Sequence, residues 1–155
     1  MKVLLLSHNP ISTNNNMGKT FLSLFSEFER SEICQLYIYP VIPDVDFCNS
    51  YYRITDRDIL DSLIKFKIPG CSIESDLISC EQSQRAYDAE FIKSNKSSHV
   101  KRLLRDLMWK MSHWNTAGLN TWLDKESPDC IFLAPGYAKF IYDIALKLSK
   151  KRDIP

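Results

Sequence analysis

Glycine is scarce in this chain, four in 155 residues. The scarcity decides the reading of Asn14-Asn15-Asn16-Met17-Gly18-Lys19-Thr20, whose last three residues match the end of a phosphate-binding P-loop. A P-loop, G-x-x-x-x-G-K-[ST], needs an earlier glycine so that successive backbone N–H groups can cradle the phosphates. That position is Thr13, and the nucleoside-triphosphatase reading fails at its most demanding residue. The dinucleotide signature G-x-G-x-x-G is missing as well, which puts a dinucleotide-dependent oxidoreductase last among the candidate functions. An excess of one charge sign is also lacking: 20 Lys and Arg face 19 Asp and Glu, net +1. With no global field to hold a polyanion, a nucleic-acid partner is disfavoured. Five scattered cysteines, Cys34, Cys48, Cys71, Cys80 and Cys130, suggest neither a disulfide framework nor a zinc ligand pair, and they read as reduced cytosolic thiols. The opening MKVLLLSHNP has an apolar run only from Val3 to Leu6, too short for a signal-peptide core or a membrane span. The expectation is a cytoplasmic protein without a metal or a cofactor.

What is present fits one globular domain over residues 1–155, with 45% hydrophobic residues. Val3 to Leu6 reads as a strand buried on both faces. The segment from Gly18 places Phe21, Leu24, Phe25 and Phe28 on one helical stripe, and Ile33 to Tyr39 reads as a second strand, which together make a βαβ unit. A short strand over Tyr51 to Ile54 precedes a helix announced by Thr55 and Asp58 at capping-box spacing, with Ile59, Leu60, Leu63 and Ile64 on its face. The pattern is lost from Lys67 to Ser98, predicting a long mobile loop. His99 to Lys125 reads as helical with a break at Asn115-Thr116, and its stripe is Leu103, Leu104, Leu107, Met108 and Met111. Asp129 to Ala134 is a strand, and Phe140, Ile141, Ile144, Ala145 and Leu148 mark the last helix. The tail Lys150 to Pro155 has the look of a lead-in to a further strand. This alternation predicts an α/β fold, a Rossmann-like open parallel sheet with helices on both faces.

Ligands of such sheets bind where strand ends point their loops into a crevice. Two loops qualify. The first runs from His8 to Gly18, where Asn9, Asn14, Asn15, Asn16, Met17 and Gly18, with Lys19 next in the chain, offer polar groups at a helix N-terminus, against the alternative of a solvated Asn-rich turn. The second is Ala134 to Tyr137, where Gly136 and Tyr137 either approach a ligand or make a plain strand-to-helix turn. His8 stands at a strand end and is the acid/base candidate; without an identifiable carboxylate partner, a satisfied structural histidine is the alternative. Asp44, Asp46 and Arg53 flank the second strand's exit and read as surface charges before they read as sugar or metal ligands. Trp109, Met108, Met111, Trp114 and Trp122 are at helical spacing and read as core, or as cover for a missing neighbour.

The segments KVLLLSHNPISTNNNMGKTFLSLFSEF, CQLYIYPVIPDVDFCNSYYRITDRDIL and PDCIFLAPGYAKFIYDIALKLSKKRDIP resemble the N-terminal half of bacterial GT-B glycosyltransferases, in the retaining, family 4-like group that uses nucleotide sugars. The resemblance spans the two outer thirds of the chain. It implies two Rossmann-like domains facing across a cleft, the N-terminal one on the acceptor side and the C-terminal one holding the donor. The loop after strand one would reach the donor's diphosphate and the acceptor, which maps onto Asn14, Asn15, Asn16, Met17, Gly18 and Lys19. Many relatives carry a glycine pair in this loop and a histidine after the fourth strand, where this chain has Met17-Gly18 and Pro135-Gly136-Tyr137. The implied activity is transfer of a sugar from a nucleotide diphosphate sugar, a substrate rather than a cofactor, to a cell-surface or polysaccharide acceptor. The donor domain lies outside these residues, so the chain alone is expected to be inactive. The implied place is the cytoplasm or the inner face of a membrane, which leaves room for peripheral membrane contact. The competing expectation is a stand-alone Rossmann-like module that binds a ligand or a protein without catalysis.

Overall fold

The computed structural model describes residues 1–14, 16–73, 99–136 and 138–155. The apolar run at the start forms β1 (Val3–Ser7), and all five of its residues are buried. It lies between β2 (Ile33–Tyr37) and β5 (Cys130–Ala134), parallel to both, with Leu5 opposite Gln35 on one side and Phe132 on the other. Beyond β2 come β3 (Ser50–Arg53), parallel, and β4 (Cys71–Ile73), antiparallel, giving the order β4-β3-β2-β1-β5. The fold is the expected Rossmann-like α/β class. A strand inside the segment read as patternless is the difference: three residues, Cys-Ser-Ile, are too few to show a period of two. The rest of that predicted loop, 74–98, falls outside the described residues.

Alternation along β1 sends Val3 and Leu5 to one face and Leu4 and Leu6 to the other. The first face is covered by α1 (Asn16–Leu24) through Phe21, with Phe25 just beyond the helix end. The second is covered by α2 (Asp56–Lys65), α3 (His99–Met111), α4 (Ala117–Glu126) and α5 (Lys139–Arg152), whose Ile59, Trp109, Leu119, Trp122 and Ile141 join Leu4 and Leu6 in one core. The helix starts follow the sequence signals. Thr55 caps α2 reciprocally: the Asp58 N–H donates to Thr55 Oγ1 at 3.1 Å, and the Thr55 N–H donates to the Asp58 carboxylate at 2.8 Å. Thr116 caps α4, accepting from the Leu119 N–H at 3.2 Å.

Helical spacing gives a period but does not say which face meets the core. Leu24 is 54% exposed and lies off the buried face that Phe21 defines. In α3 the expected stripe of Leu103, Leu104, Leu107 and Met111 faces outward, and Leu63 and Ile64 of α2 are exposed too. The core side of α3 is Trp109, whose ring stacks on Phe140 at 4.2 Å, with Met108 packed at its margin. Trp114 and Trp122 are buried as expected.

Two clamps close the lower end of the sheet. Buried Glu126 pairs with Lys2 and accepts a 2.8 Å hydrogen bond from Asn49. The tail that reads as a strand lead-in returns to the outer side of β5, where the Ile131 N–H donates to the Pro155 carbonyl at 2.7 Å.

Candidate functional site

The chain leaves β1 toward β2, while β5 lies on β1's other side, so the loops after β1 and β5 diverge at a reversal of strand order. That is where open α/β sheets bind ligands, at the carboxyl ends of the strands. Both loops singled out in the sequence are the ones that flank this point. His8 and Gly136 stand next to each other there: a Cβ built on Gly136 would lie 3.9 Å from His8 Cβ. Gly136 has φ +59°, a left-handed conformation that glycine adopts without strain and that suits a chain turning sharply from β5 toward α5.

His8 is held from several sides. Its carbonyl accepts from the Tyr39 N–H at 2.8 Å and the Ile38 N–H at 3.3 Å, which ties the end of β1 to the end of β2. Its ring meets Tyr39 edge-on at 5.7 Å. Nδ1 is buried with no hydrogen-bond partner among the described residues. Burial pushes the imidazole down to about 4; the Arg105 guanidinium lowers it further, and the Asp56 carboxylate opposes the shift. At neutral pH the ring is therefore uncharged, with one nitrogen donor and one acceptor. Such an imidazole is a weak base and a good orienting group for a hydroxyl.

Arg105 and Asp56 are the charged groups near enough to act on the His8 ring. Arg105 Nε donates to Asp56 Oδ1 at 2.9 Å, Trp109 Nε1 donates to the same oxygen at 2.7 Å, and the guanidinium lies over the Phe140 ring at 4.9 Å. Neither residue was picked out by motif or spacing. The one available signal was that Asp56 opens the helix after β3, a strand end like the other two, but its partner comes from α3, far away in sequence.

The Asn-rich loop is organised by Asp44. Its carboxylate accepts from Ser12 Oγ at 2.9 Å, from the Thr13 N–H and Oγ1 at 3.1 Å each, and from the Asn14 amide. Some loss of hydration works against ionisation at this exposed residue, but the hydrogen bonds from Ser12 and Thr13 outweigh it and hold the carboxyl below its ordinary range. Asp44 is thus a structural anchor rather than an idle surface charge, and Asp46 pairs with Arg30. Buried Gln35 fastens the loop's other end, donating to Ser7 Oγ at 2.8 Å and the Asn9 carbonyl at 3.1 Å while accepting from the Ile11 N–H at 3.1 Å.

The predicted site residues therefore divide. His8 and Gly136 come together, and the adjoining Asn9 is half-buried, its carbonyl held by Gln35. The Asn14 side chain is committed to Asp44. Asn16 and Lys19 are exposed on the first turn of α1, and Met17 packs against the core on that face. Gly18 allows a close backbone approach, but the approaching group is the chain's own Ser12: a Cβ at Gly18 would lie 2.2 Å from the Ser12 carbonyl oxygen. Asn15 and Tyr137 lie outside the described residues. A separate shallow hollow, lined by Trp109, Lys110, Trp114, Phe140, Asp143 and Lys147, contains none of them. No group of three or more His, Cys, Asp or Glu among the described residues is placed to hold a metal ion.

The fold and the crevice define a Rossmann-like α/β domain with a polar strand-end site. No family model matches the chain, and neither a curated protein nor a solved structure does.

Proposed function

We propose that the chain is the acceptor-side domain of a glycosyltransferase that takes its sugar from a nucleotide diphosphate sugar. The observation that carries the reading is the meeting of His8 and Gly136 at the reversal of strand order, with a neutral imidazole whose Nδ1 lacks a partner among the described residues. A buried polar atom without a partner is what a site built for a hydroxyl-bearing ligand presents. His8 orients the acceptor hydroxyl, and Arg105, fixed by Asp56, supplies positive potential nearby. Asn16 and Lys19 on the first turn of α1 face the donor side, where helix N–H groups favour the negative charge of a diphosphate. The nucleotide is held by a second domain across the cleft, and these residues alone do not transfer sugar.

Calorimetric titration tests this. Saccharide acceptors are expected to bind the chain measurably, and UDP- or GDP-sugars weakly or not at all. Micromolar donor binding by residues 1–155 contradicts the division of labour. Failure of every saccharide to bind, with some other ligand or protein taken up at the crevice, favours the stand-alone binding module.

A further inference from the structure

Helix α3 turns an apolar seam away from the protein. Val100, Leu104, Leu107 and Met111 follow one another at intervals of four, three and four residues, and each is more than half exposed. Leu103 widens the seam on one side. Trp109, the buried residue of this helix, lies on the opposite side, stacked on Phe140. An amphipathic helix normally buries such a stripe, and an exposed one marks an interaction site.

The spacing says what kind of partner fits. Alternating intervals of four and three are the a and d positions of a heptad, the pattern by which one helix sets its knobs into the holes of another. Val100 and Leu107 take d, Leu104 and Met111 take a, and Trp109 falls at f, on the side away from a partner helix. The set is complementary to itself. Turned end for end about a point between Leu104 and Leu107, Val100 of one copy meets Met111 of the other and Leu104 meets Leu107, so every layer of the seam is apolar on both sides. Lys101 at e then runs beside Met108 of the second copy, and Lys110 at g beside its Leu103, so that no lysine faces a lysine.

The surroundings favour a protein over a lipid surface. No helix among the described residues is long and apolar enough to cross a membrane. Cations around the face are engaged within the chain: Arg105 with Asp56 at 2.9 Å, and Lys65 and Lys67 with Asp61 at 3.0 and 3.7 Å. Three further exposed apolar residues, Ile64, Phe66 and Ile68, stand at and beyond the end of α2, which packs against α3. At about 100 Å² of apolar surface for a whole side chain, the seam and these three present roughly 500 Å² per copy, and a polar rim brings that toward the about 800 Å² per partner of a stable interface.

We infer that two copies of the chain pair antiparallel through α3, about a two-fold axis between Leu104 and Leu107. This stands apart from the glycosyl-transfer reading, which uses neither residue.

Sedimentation velocity of the whole chain over a range of concentrations tests it, and a reversible dimer is expected. Leu104→Glu with Leu107→Glu sets carboxylates against carboxylates at the centre of the seam and should weaken association at least about a hundredfold. Both side chains are exposed, so an unfolding midpoint equal to that of wild type, measured at a dilution where each is monomeric, shows that the fold is retained. Leu104→Glu with Leu107→Lys in one chain should keep the dimer, because antiparallel pairing places each new carboxylate against a new ammonium, whereas parallel pairing places like against like. A wild-type chain that stays monomeric up to roughly 1 mM overturns the inference, as does a dimer that the two glutamates leave unchanged. Loss of the dimer in the Glu–Lys variant overturns the antiparallel arrangement. Binding to phosphatidylglycerol vesicles by a monomeric wild type, abolished by the two glutamates, assigns the face to lipid and overturns it too.

Discussion

Gly18 is the most crowded glycine in the protein, and replacing it with alanine gives a large effect for one methyl group. The added Cβ would sit 2.2 Å from the Ser12 carbonyl oxygen and 2.5 Å from its nitrogen, whereas real Cβ atoms keep beyond 3.0 Å. Helix α1 and the Ser12 backbone must therefore part by roughly 1 Å, an overpacking strain that costs about 3 kcal/mol when the neighbour cannot give. Ser12 cannot give easily. Its Oγ donates to Asp44 and accepts from the Asn14 N–H at 3.0 Å, and the adjacent Ile11 N–H is bound to Gln35. Set against this, alanine in a helix gains up to about 1 kcal/mol over glycine. The net expectation is a loss of about 2 kcal/mol, a fall of roughly 4–8 °C in Tm for a chain of this length. Urea and thermal denaturation of Gly18→Ala against wild type measure it. A variant as stable as wild type, or more stable, refutes the close approach of α1 to the loop, and with it the view that Gly18 serves the fold before it serves a ligand.

Other expectations follow from the same geometry. Phe21→Ala, at a buried core position, should cost about 3–5 kcal/mol, and Leu24→Ala less than about 0.5 kcal/mol, as read from urea midpoints; equal costs would contradict the orientation of α1. His8 titrates near 6.5 unfolded and at about 4 folded, so the unfolded chain binds more protons between these values. Stability from this group is then fully present above pH 6.5 and is lost as pH falls toward 4, by up to about 3 kcal/mol. His8→Asn should flatten that part of the profile; parallel wild-type and variant curves from pH 7 to 4 would count against the buried neutral ring. Glu126→Ala strands the Lys2 ammonium and the Asn49 amide and should cost about 2–3 kcal/mol, partly recovered by adding Lys2→Met. Additive costs in that cycle would rule out coupling.

Much of the fold was legible because local signals and tertiary demands agree. Val3 to Leu6 could be read as a buried central strand since β1 has neighbours on both sides and helices on both faces. Thr55 and Thr116 marked helix starts because a capping hydroxyl acts within one turn, independent of the rest of the chain. Orientation was harder to see. The leucines of α3 have the right period and the wrong partner, since Trp109, a larger apolar group, takes the core side against Phe140. At the site, the sequence pointed to both strand-end loops but could not pair His8 with Gly136, which meet only because β5 inserts beside β1. Arg105 and Asp56 are 49 residues apart and carry no motif. Gly18 was legible as a glycine at a helix start, but nothing in the sequence says that the Ser12 backbone packs against it.

The central claim is that the crevice between the β1 and β5 loops binds a sugar acceptor. Amide chemical-shift mapping of the ¹⁵N-labelled chain during titration with a panel of oligosaccharides tests it most directly. The account predicts shifts concentrated at His8, Asn9, Tyr39 and Gly136, with His8→Asn removing them at unchanged stability near neutral pH. Saccharides that leave these amides unmoved, or that shift residues elsewhere in the fold, contradict it.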